Sequence, residues 1–206
     1  FLLFVFLKQF YLFPSGGMGA ADVCLLPFDV RDRGAAKAAL DSLPEEWKAI
    51  DILINNAGLV IGVDKEHEGN PDEWDIVLDT NIKALLAMTR VVARGMVERG
   101  HGHVINMGSI AGDYAYPGGS VYCASKAAVK ALSDGLRIDL VDTPVRVTNI
   151  KPGLVETNFS VVRFRGDKAA ADNCTRASVR LQATTLPKWC TLPLPYPSIY
   201  KWPRCW

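Results

Sequence analysis

Residues 50–58 read IDILINNAG. An apolar run the length of one strand stops abruptly in two asparagines, an alanine and a glycine. Such a run, bounded by turn residues, is consistent with a strand buried on both faces. The same device recurs outward along the chain. DVCLLPFDV (22–30) is apolar and ends beyond Asp29, GHVINMGSIAG (102–112) runs into a Gly/Ser loop, and VRVTNIKPG (145–153) ends at Pro152-Gly153. Helical patterns separate these runs. RDRGAAKAALDSL (31–43) has Asp32 as a possible cap, and residues 71–100 carry Pro71 in the first turn, acids at the start and Gly100 at the stop. SVYCASKAAVK (120–130) opens a third helix, expected to reach about Val141. Strands alternating with helices predict a parallel sheet covered on both faces. Ligands of such sheets bind at the carboxyl ends of the strands, where Asp29, Asn55 to Gly58, Ser109 and Pro152-Gly153 collect.

Composition narrows the function classes. The chain has 206 residues, 49% apolar and 22% charged, enough for one domain with a real core. A net charge of +1 gives no reason to expect nucleic acid or an anionic membrane as a partner. The charge is uneven: residues 1–173 hold 18 basic and 22 acidic groups, whereas 174–206 hold five basic groups and no acid. Five cysteines are scattered without a C-x-x-C pair and histidines are few, so no metal site is expected and a reducing compartment is. His67, His101 and His103 receive no role, and Cys123 reads as a small helix residue rather than a nucleophile.

Tyr122 and Lys126 stand four apart in the third helix and therefore share a face. A lysine beside a tyrosine favours the phenolate and lowers the phenol's pKa, one route to a proton donor and acceptor near neutral pH. Taken alone, the spacing is common and the pair reads rather as an incidental feature of a surface helix. Asn81, inside the long helical pattern, is poorly placed on propensity, and Ala57 and Gly58 are small enough for a ligand to approach the backbone closely.

Together, NNAG (55–58), Asn81, GSIAG (108–112), YCASK (122–126) and PGLVET (152–157) resemble the short-chain dehydrogenase/reductase family in order and spacing, over about residues 22–173. Within it, FDVRD, SLPEEWKAIDILINNAGL, YPGGSVYCASKAAV and VRVTNIKPGLVETNFSVVRFRGD resemble the NADP-dependent 3-hydroxy acid dehydrogenases, also described as serine or L-allo-threonine dehydrogenases. The resemblance implies a Rossmann-like three-layer α/β sandwich and hydride transfer between NADP, with NAD not excluded, and a hydroxy acid or alcohol. It implies Tyr122 as acid/base and Lys126 as the group that lowers its pKa and holds the nicotinamide ribose. Ser109 would orient the substrate oxygen, and Asn81 would hold a water relaying protons to Lys126. Asp29 would meet the adenine, Asn55, Ala57 and Gly58 would line the cofactor, and Pro152, Gly153, Val155 and Thr157 would flank the carboxamide. Arg163 or Arg165, at the start of the substrate-covering segment, is a candidate partner for a carboxylate. The family further implies a cytoplasmic homotetramer joined through the two long helices.

The chain departs from that pattern at both ends. The glycine-rich phosphate-binding turn is absent: SGGMGAA (15–21) lacks its spacing and reads as a flexible connector. The first two strands and the last strand of the family's sheet are expected to be missing. The strand at 22–30 is then left without its neighbours, the strand at 50–55 has an open edge, and weakened cofactor affinity is expected. The apolar opening FLLFVFLKQFYLF is too short to span a bilayer. It reads as a buried strand that fills part of the gap, as a membrane-surface anchor, or as a segment foreign to the parent protein. Residues 174–206, with five Pro, three Trp, three Cys and no acid, read as a change of reading frame or a Pro-rich docking segment. The expected division is therefore 1–21, 22–173 and 174–206. The expected function is an NADP-dependent oxidoreductase, with an inactive fragment that pairs with intact subunits as the alternative.

Overall fold

A computed structural model describes the backbone of residues 3–12, 18–153, 155–156, 159–176 and 181–182, with side chains for 24–153 and 159–173. Three of the four apolar runs build a parallel sheet. β3 (Ile52–Asn55) pairs with β4 (His103–Met107), and β4 with β5 (Arg146–Ile150), so β4 is central. Leu53 lies beside Val104 and Asn55 beside Asn106, while Val104 lies beside Val147. The sheet is thus the parallel core of a Rossmann-like fold, and among the described residues β3 is an edge strand, with Ile52 exposed.

The fourth run behaves differently. β2 (Met18–Pro27) begins before the expected strand, so Met18 to Ala21 belong to a strand and not to a connector. It pairs antiparallel with β1 (Leu3–Leu12) and not with the parallel sheet. The expectation that this strand would have no partner is corrected. The apolar, aromatic-rich opening of the chain has the composition of a strand and supplies the pairing that an open edge otherwise invites. Beyond the hairpin the chain still enters the core. Cys24 and Leu26 pack against a cluster that contains Phe28, Val30, Leu53, Met88, Met96 and Val104, with Leu25 facing outward.

Local chemistry fixes the helix starts. Asp32 caps α1 (Arg33–Asp41) by accepting from the backbone N–H of Gly34 and Ala35. A short α2 (Glu45–Lys48) leads to β3. Asn70 caps α3 (Pro71–Leu78), with Pro71 in its first turn. The helix continues as a π-helical segment, Asp79–Ala84, then as α4 (Leu85–Arg99), and stops at Gly100 in the left-handed region. The expected single helix is therefore continuous but widened around Asn81, the kind of local distortion that often marks functional sites. α5 (Ser120–Asp139) carries Tyr122 and Lys126. The chain ends its described course in β6 (Val155–Glu156), α6 (Phe159–Arg163), α7 (Lys168–Arg176) and β7 (Leu181–Gln182), with β6 parallel to β7. The tail beyond 173 thus contributes the end of α7 and one strand fragment, where no periodicity was expected. Its proline-rich remainder lies outside the described residues.

A buried chain of side-chain amides and hydroxyls ties the sheet to its helices. Asn55 Nδ2 donates to Thr89 Oγ1 on α4 and to Asn106 Oδ1 on β4, both at 2.8 Å. Asn106 Nδ2 donates to Ser133 Oγ on α5 at 2.9 Å, and Ser133 Oγ donates to the Val129 carbonyl at 2.7 Å. Thr89, Asn55, Asn106 and Ser133 are all buried. Both long helices therefore cover the sheet face to which Asn55 and Asn106 project. Asn106→Ala removes both side-chain bonds of its amide and leaves donors and acceptors dry, which costs about 1–3 kcal/mol for each stranded group. Urea unfolding is expected to register a loss of about 2 kcal/mol or more, and an unchanged midpoint would remove this network from the stability of the fold.

Candidate active site

The carboxyl ends of β3, β4 and β5 bring most of the expected residues together. The turn after β3 places Gly58 against α5 and the π segment: a Cβ there would stand 3.3 Å from Asn81 Oδ1 and 3.4 Å from Lys126 Nζ. Asn81, 1% exposed, treats Leu59 as a strand would. Its Oδ1 accepts from the Leu59 N–H and its Nδ2 donates to the Leu59 carbonyl, both at 2.9 Å. Nδ2 also donates to Ser125 Oγ at 3.0 Å, and Ser125 donates to the Tyr122 carbonyl at 2.7 Å. The asparagine in a helix interior is thus a clamp that fastens the β3 turn to the helix bearing Tyr122.

Lys126 is 6% exposed and donates to the Met107 carbonyl at 2.8 Å, at the end of β4. Burial draws its pKa down to about 8. Its Nζ lies 5.7 Å from the centre of the Tyr122 ring. Gly112 makes this seat possible, because a Cβ at that position would stand 2.6 Å from the Lys126 carbonyl oxygen. Ser109, extended at the end of β4, caps the turn Ile110–Gly112 by accepting from the Ala111 N–H at 3.1 Å. Its Oγ also lies 3.5 Å from the Pro152 carbonyl, which itself accepts from the Ile110 N–H. Ser109 also lies near enough to the Tyr122 hydroxyl to draw its pKa down. Gly58, Asn81, Ser109, Tyr122, Lys126 and Pro152 therefore form one connected group.

The electrostatics differ from the sequence expectation in one respect. Tyr122 is pushed up to about 12, not down, because burial of the phenol outweighs the Ser109 hydroxyl and the Arg163 guanidinium, which pull it back. Lys126 is committed to the Met107 carbonyl and is itself desolvated. The phenol is consequently a protonated group at neutral pH and suits proton donation.

The remaining expected residues sort plainly. Asn55 lines a small cleft with Val30, Ala57, Ala84, Leu85 and Met88, but both N–H groups of its side-chain amide are spent on Thr89 and Asn106. Asp29 stands apart from the connected group. Arg31 Nε and Nη2 hold both its carboxylate oxygens, and that hydrogen bonding lowers its pKa to about 2. Gly153 follows Pro152 beside Ile110, where a Cβ would come no nearer than 3.6 Å to a side-chain methyl. Val155 is described by its backbone, paired with Leu181, and Thr157 lies outside the described residues. Arg165 is bound to Glu73 and Asp64 of its own chain. Ser125, the Met107 carbonyl and Phe159, whose ring lies 5.7 Å from that of Tyr122, escaped the sequence reading. Ser125 shares the Tyr122 helix face and was the most accessible of the three. His103 is buried against Thr148 on β5, with its pKa lowered to about 4 by burial and then by Arg146. Among the described residues no group of three His, Cys, Asp or Glu could hold a metal, and no helix is long and apolar enough to cross a membrane.

Residues 17–167 match the family model for short chain dehydrogenase. The chain belongs to the short-chain dehydrogenase family. It is 53% identical over 154 residues to the NADP-dependent 3-hydroxy acid dehydrogenase YdfG of Escherichia coli K12, which covers 74% of this chain and 62% of that protein. The NADP-dependent 3-hydroxy acid dehydrogenase of Schizosaccharomyces pombe is 45% identical over 159 residues, 76% of this chain and 61% of that one. The chain thus spans about three fifths of the length of these curated relatives. Among solved structures, the closed form of serine dehydrogenase complexed with NADP+ superposes with a TM-score of 0.76 at 50% identity, covering 80% of this chain and 68% of that one.

The buried lysine makes stability depend on pH. Lys126 ionises near 8 when folded and near 10.5 when unfolded. Between those values the unfolded chain binds more protons, so stability rises with pH across that window. Lys126→Met is expected to flatten this rise in urea titrations at pH 8, 9 and 10, and an identical slope in both proteins would show that the ammonium is not desolvated.

Proposed function

We propose that this chain carries the catalytic half of an NADP-dependent oxidoreductase acting on a 3-hydroxy acid, serine or L-allo-threonine among them. The observation that carries the reading is the connected group of Ser109, Tyr122, Lys126, Asn81 and Gly58 at the strand ends. The donor set fits the nicotinamide end of the cofactor. Lys126 spends one N–H on Met107 and keeps two for ribose hydroxyls. Gly58, Ala57, Pro152 and Gly153 offer backbone without bulk; Val155 and Thr157 complete the proposed nicotinamide contacts, Asn55 lines the cofactor, and Asp29, apart from this group, is the proposed contact of the adenine. When bound, NADP supplies the acceptor for the hydride that leaves the carbinol carbon.

The protein's residues handle the proton. In oxidation, deprotonated Tyr122 takes the hydroxyl proton as the carbinol becomes a carbonyl; in reduction, neutral Tyr122 gives it back. Ser109 holds the same oxygen and stabilises charge that develops on it. Lys126 holds its ammonium beside the ring, and Asn81 keeps turn and helix in register. With the phenol protonated at neutral pH, carbonyl reduction finds Tyr122 already in its working state. The assembled group favours catalysis over the reading of an inert fragment. Apolar residues exposed on the long helices, Leu86, Val91 and Ile138, suit the homotetramer that we also propose, and the free thiols Cys24 and Cys123 suit a reducing, cytoplasmic setting.

Tyr122→Phe keeps the ring and removes the proton. It is expected to lower kcat by about 10²- to 10⁴-fold in NADPH-linked reduction of a 3-oxo acid. In the unsubstituted chain oxidation should accelerate with rising pH, while reduction should hold steady through neutrality and fall only as the phenol ionises. Turnover that survives Tyr122→Phe undiminished would overturn the assignment.

A further inference from the structure

Two arginines, Arg163 and Arg165, lie at and just beyond the end of α6 and differ in what they are bound to. Arg165, with a backbone φ of +50°, is held by Glu73 and Asp64 through hydrogen bonds of 2.6 to 2.9 Å. Its charge is spent within the chain. Among the described residues, Arg163 has no carboxylate partner. Its Nε is buried, and its N–H finds no acceptor among the described residues. Its guanidinium carbon lies 5.1 Å from the centre of the Tyr116 ring, a cation–π distance that fixes the head group over that ring.

The place of Arg163 follows from its helix. Phe159 and Arg163 are four apart on α6 and so share a face. Phe159 packs on Tyr122 and on the cluster of Val60, Ala111 and Cys123, and Tyr116 packs on the same cluster. The Arg163 carbonyl accepts from the Gly62 N–H at 2.9 Å, which pins this helix to the loop after β3. The charge therefore stands at the edge of the Tyr122 site, close enough to favour the phenolate. A buried guanidinium N–H without an acceptor is a costly arrangement. An anion that enters the site beside Tyr122 relieves it.

We infer that Arg163 is the substrate's carboxylate anchor, placed by α6 and Tyr116 so that the acid group of a 3-hydroxy acid is held while its carbinol faces Tyr122. The inference rests on the oxidoreductase reading for the identity of the ligand, not for the existence of the anion site. It makes Arg163, and not Arg165, the specificity-determining arginine. A guanidinium presents a planar fork to a carboxylate, so lysine replaces it only in part.

The test is equilibrium binding of 3-hydroxybutyrate and of its uncharged amide, followed by ligand-observed NMR, to the unsubstituted chain, Arg163→Gln and Arg163→Lys. The unsubstituted chain is expected to prefer the acid roughly ten- to a hundredfold, the strength of one charged hydrogen-bonded pair. Arg163→Gln should erase the preference by weakening the acid alone, and Arg163→Lys should retain part of it. An unsubstituted chain that binds neither compound, or binds both equally, overturns the anchor without reference to any variant. So does an Arg163→Gln chain, shown folded by circular dichroism, that keeps the preference. Arg163-dependent binding in a chain that shows no NADP-linked turnover leaves the anchor standing and overturns the oxidoreductase reading instead.

Discussion

The buried amide of Asn106 is the joint on which this structure turns. It sits on the central strand, accepts from Asn55 on the neighbouring strand and donates to Ser133 on α5, while Asn55 reaches on to Thr89 of α4. Four elements are thereby held in one register by groups that have no water to fall back on. Apolar packing alone tolerates small slips of helix over sheet, because it is non-directional. Hydrogen bonds between buried groups do not, since each slip strands a donor or an acceptor. The site needs that intolerance, because its parts come from the ends of three strands and two helices.

The same logic operates one layer further out. Asn81 fastens Leu59 through both backbone groups and reaches Ser125, so the β3 turn and the Tyr122 helix move as one body. The π-helical widening from Asp79 to Ala84 is where the long helix departs from regular geometry, around that same residue. Lys126 then needs a cavity without Cβ atoms at Gly58 and Gly112, and an acceptor at Met107. Burial raises Tyr122 and lowers Lys126, bringing both toward their neutral forms. A site of this kind starts from a protonated phenol and draws on Ser109 and Arg163 to make the phenolate accessible.

Much of this was legible in the sequence, for physical reasons that differ from element to element. The parallel strands at 52–55, 103–107 and 146–150 declared themselves as short apolar-rich runs that end in small or polar residues, and the central one, 103–107, is buried along almost its whole length. Asp32, Pro71 and Gly100 marked helix ends by the chemistry that helix ends require. The connected site was legible through motif order. The antiparallel pairing of 18–27 with 3–12 was not, because pairing partners depend on what else the edge can reach, and the sequence of a strand does not say. Nor was the spending of Asn55 on an internal network, since an asparagine at a strand end serves a ligand or a neighbour equally well. The sign of the Tyr122 shift was missed because proximity of Lys126 is visible at four-residue spacing, whereas depth of burial is a tertiary property. Arg163 and Arg165 looked alike in sequence and were separated only by the carboxylates of Glu73 and Asp64.

The central claim is that the nicotinamide end of a short-chain dehydrogenase site stands assembled within this chain. The most direct test is a titration of the purified protein with NADPH, followed by nicotinamide fluorescence, beside the same titration of Gly58→Leu, whose side chain would fill the space next to Asn81 and Lys126. The account predicts saturable binding by the unsubstituted chain that is displaced by NADP and lost in Gly58→Leu. A folded chain that shows no saturable binding, or binding that Gly58→Leu leaves intact, would contradict it.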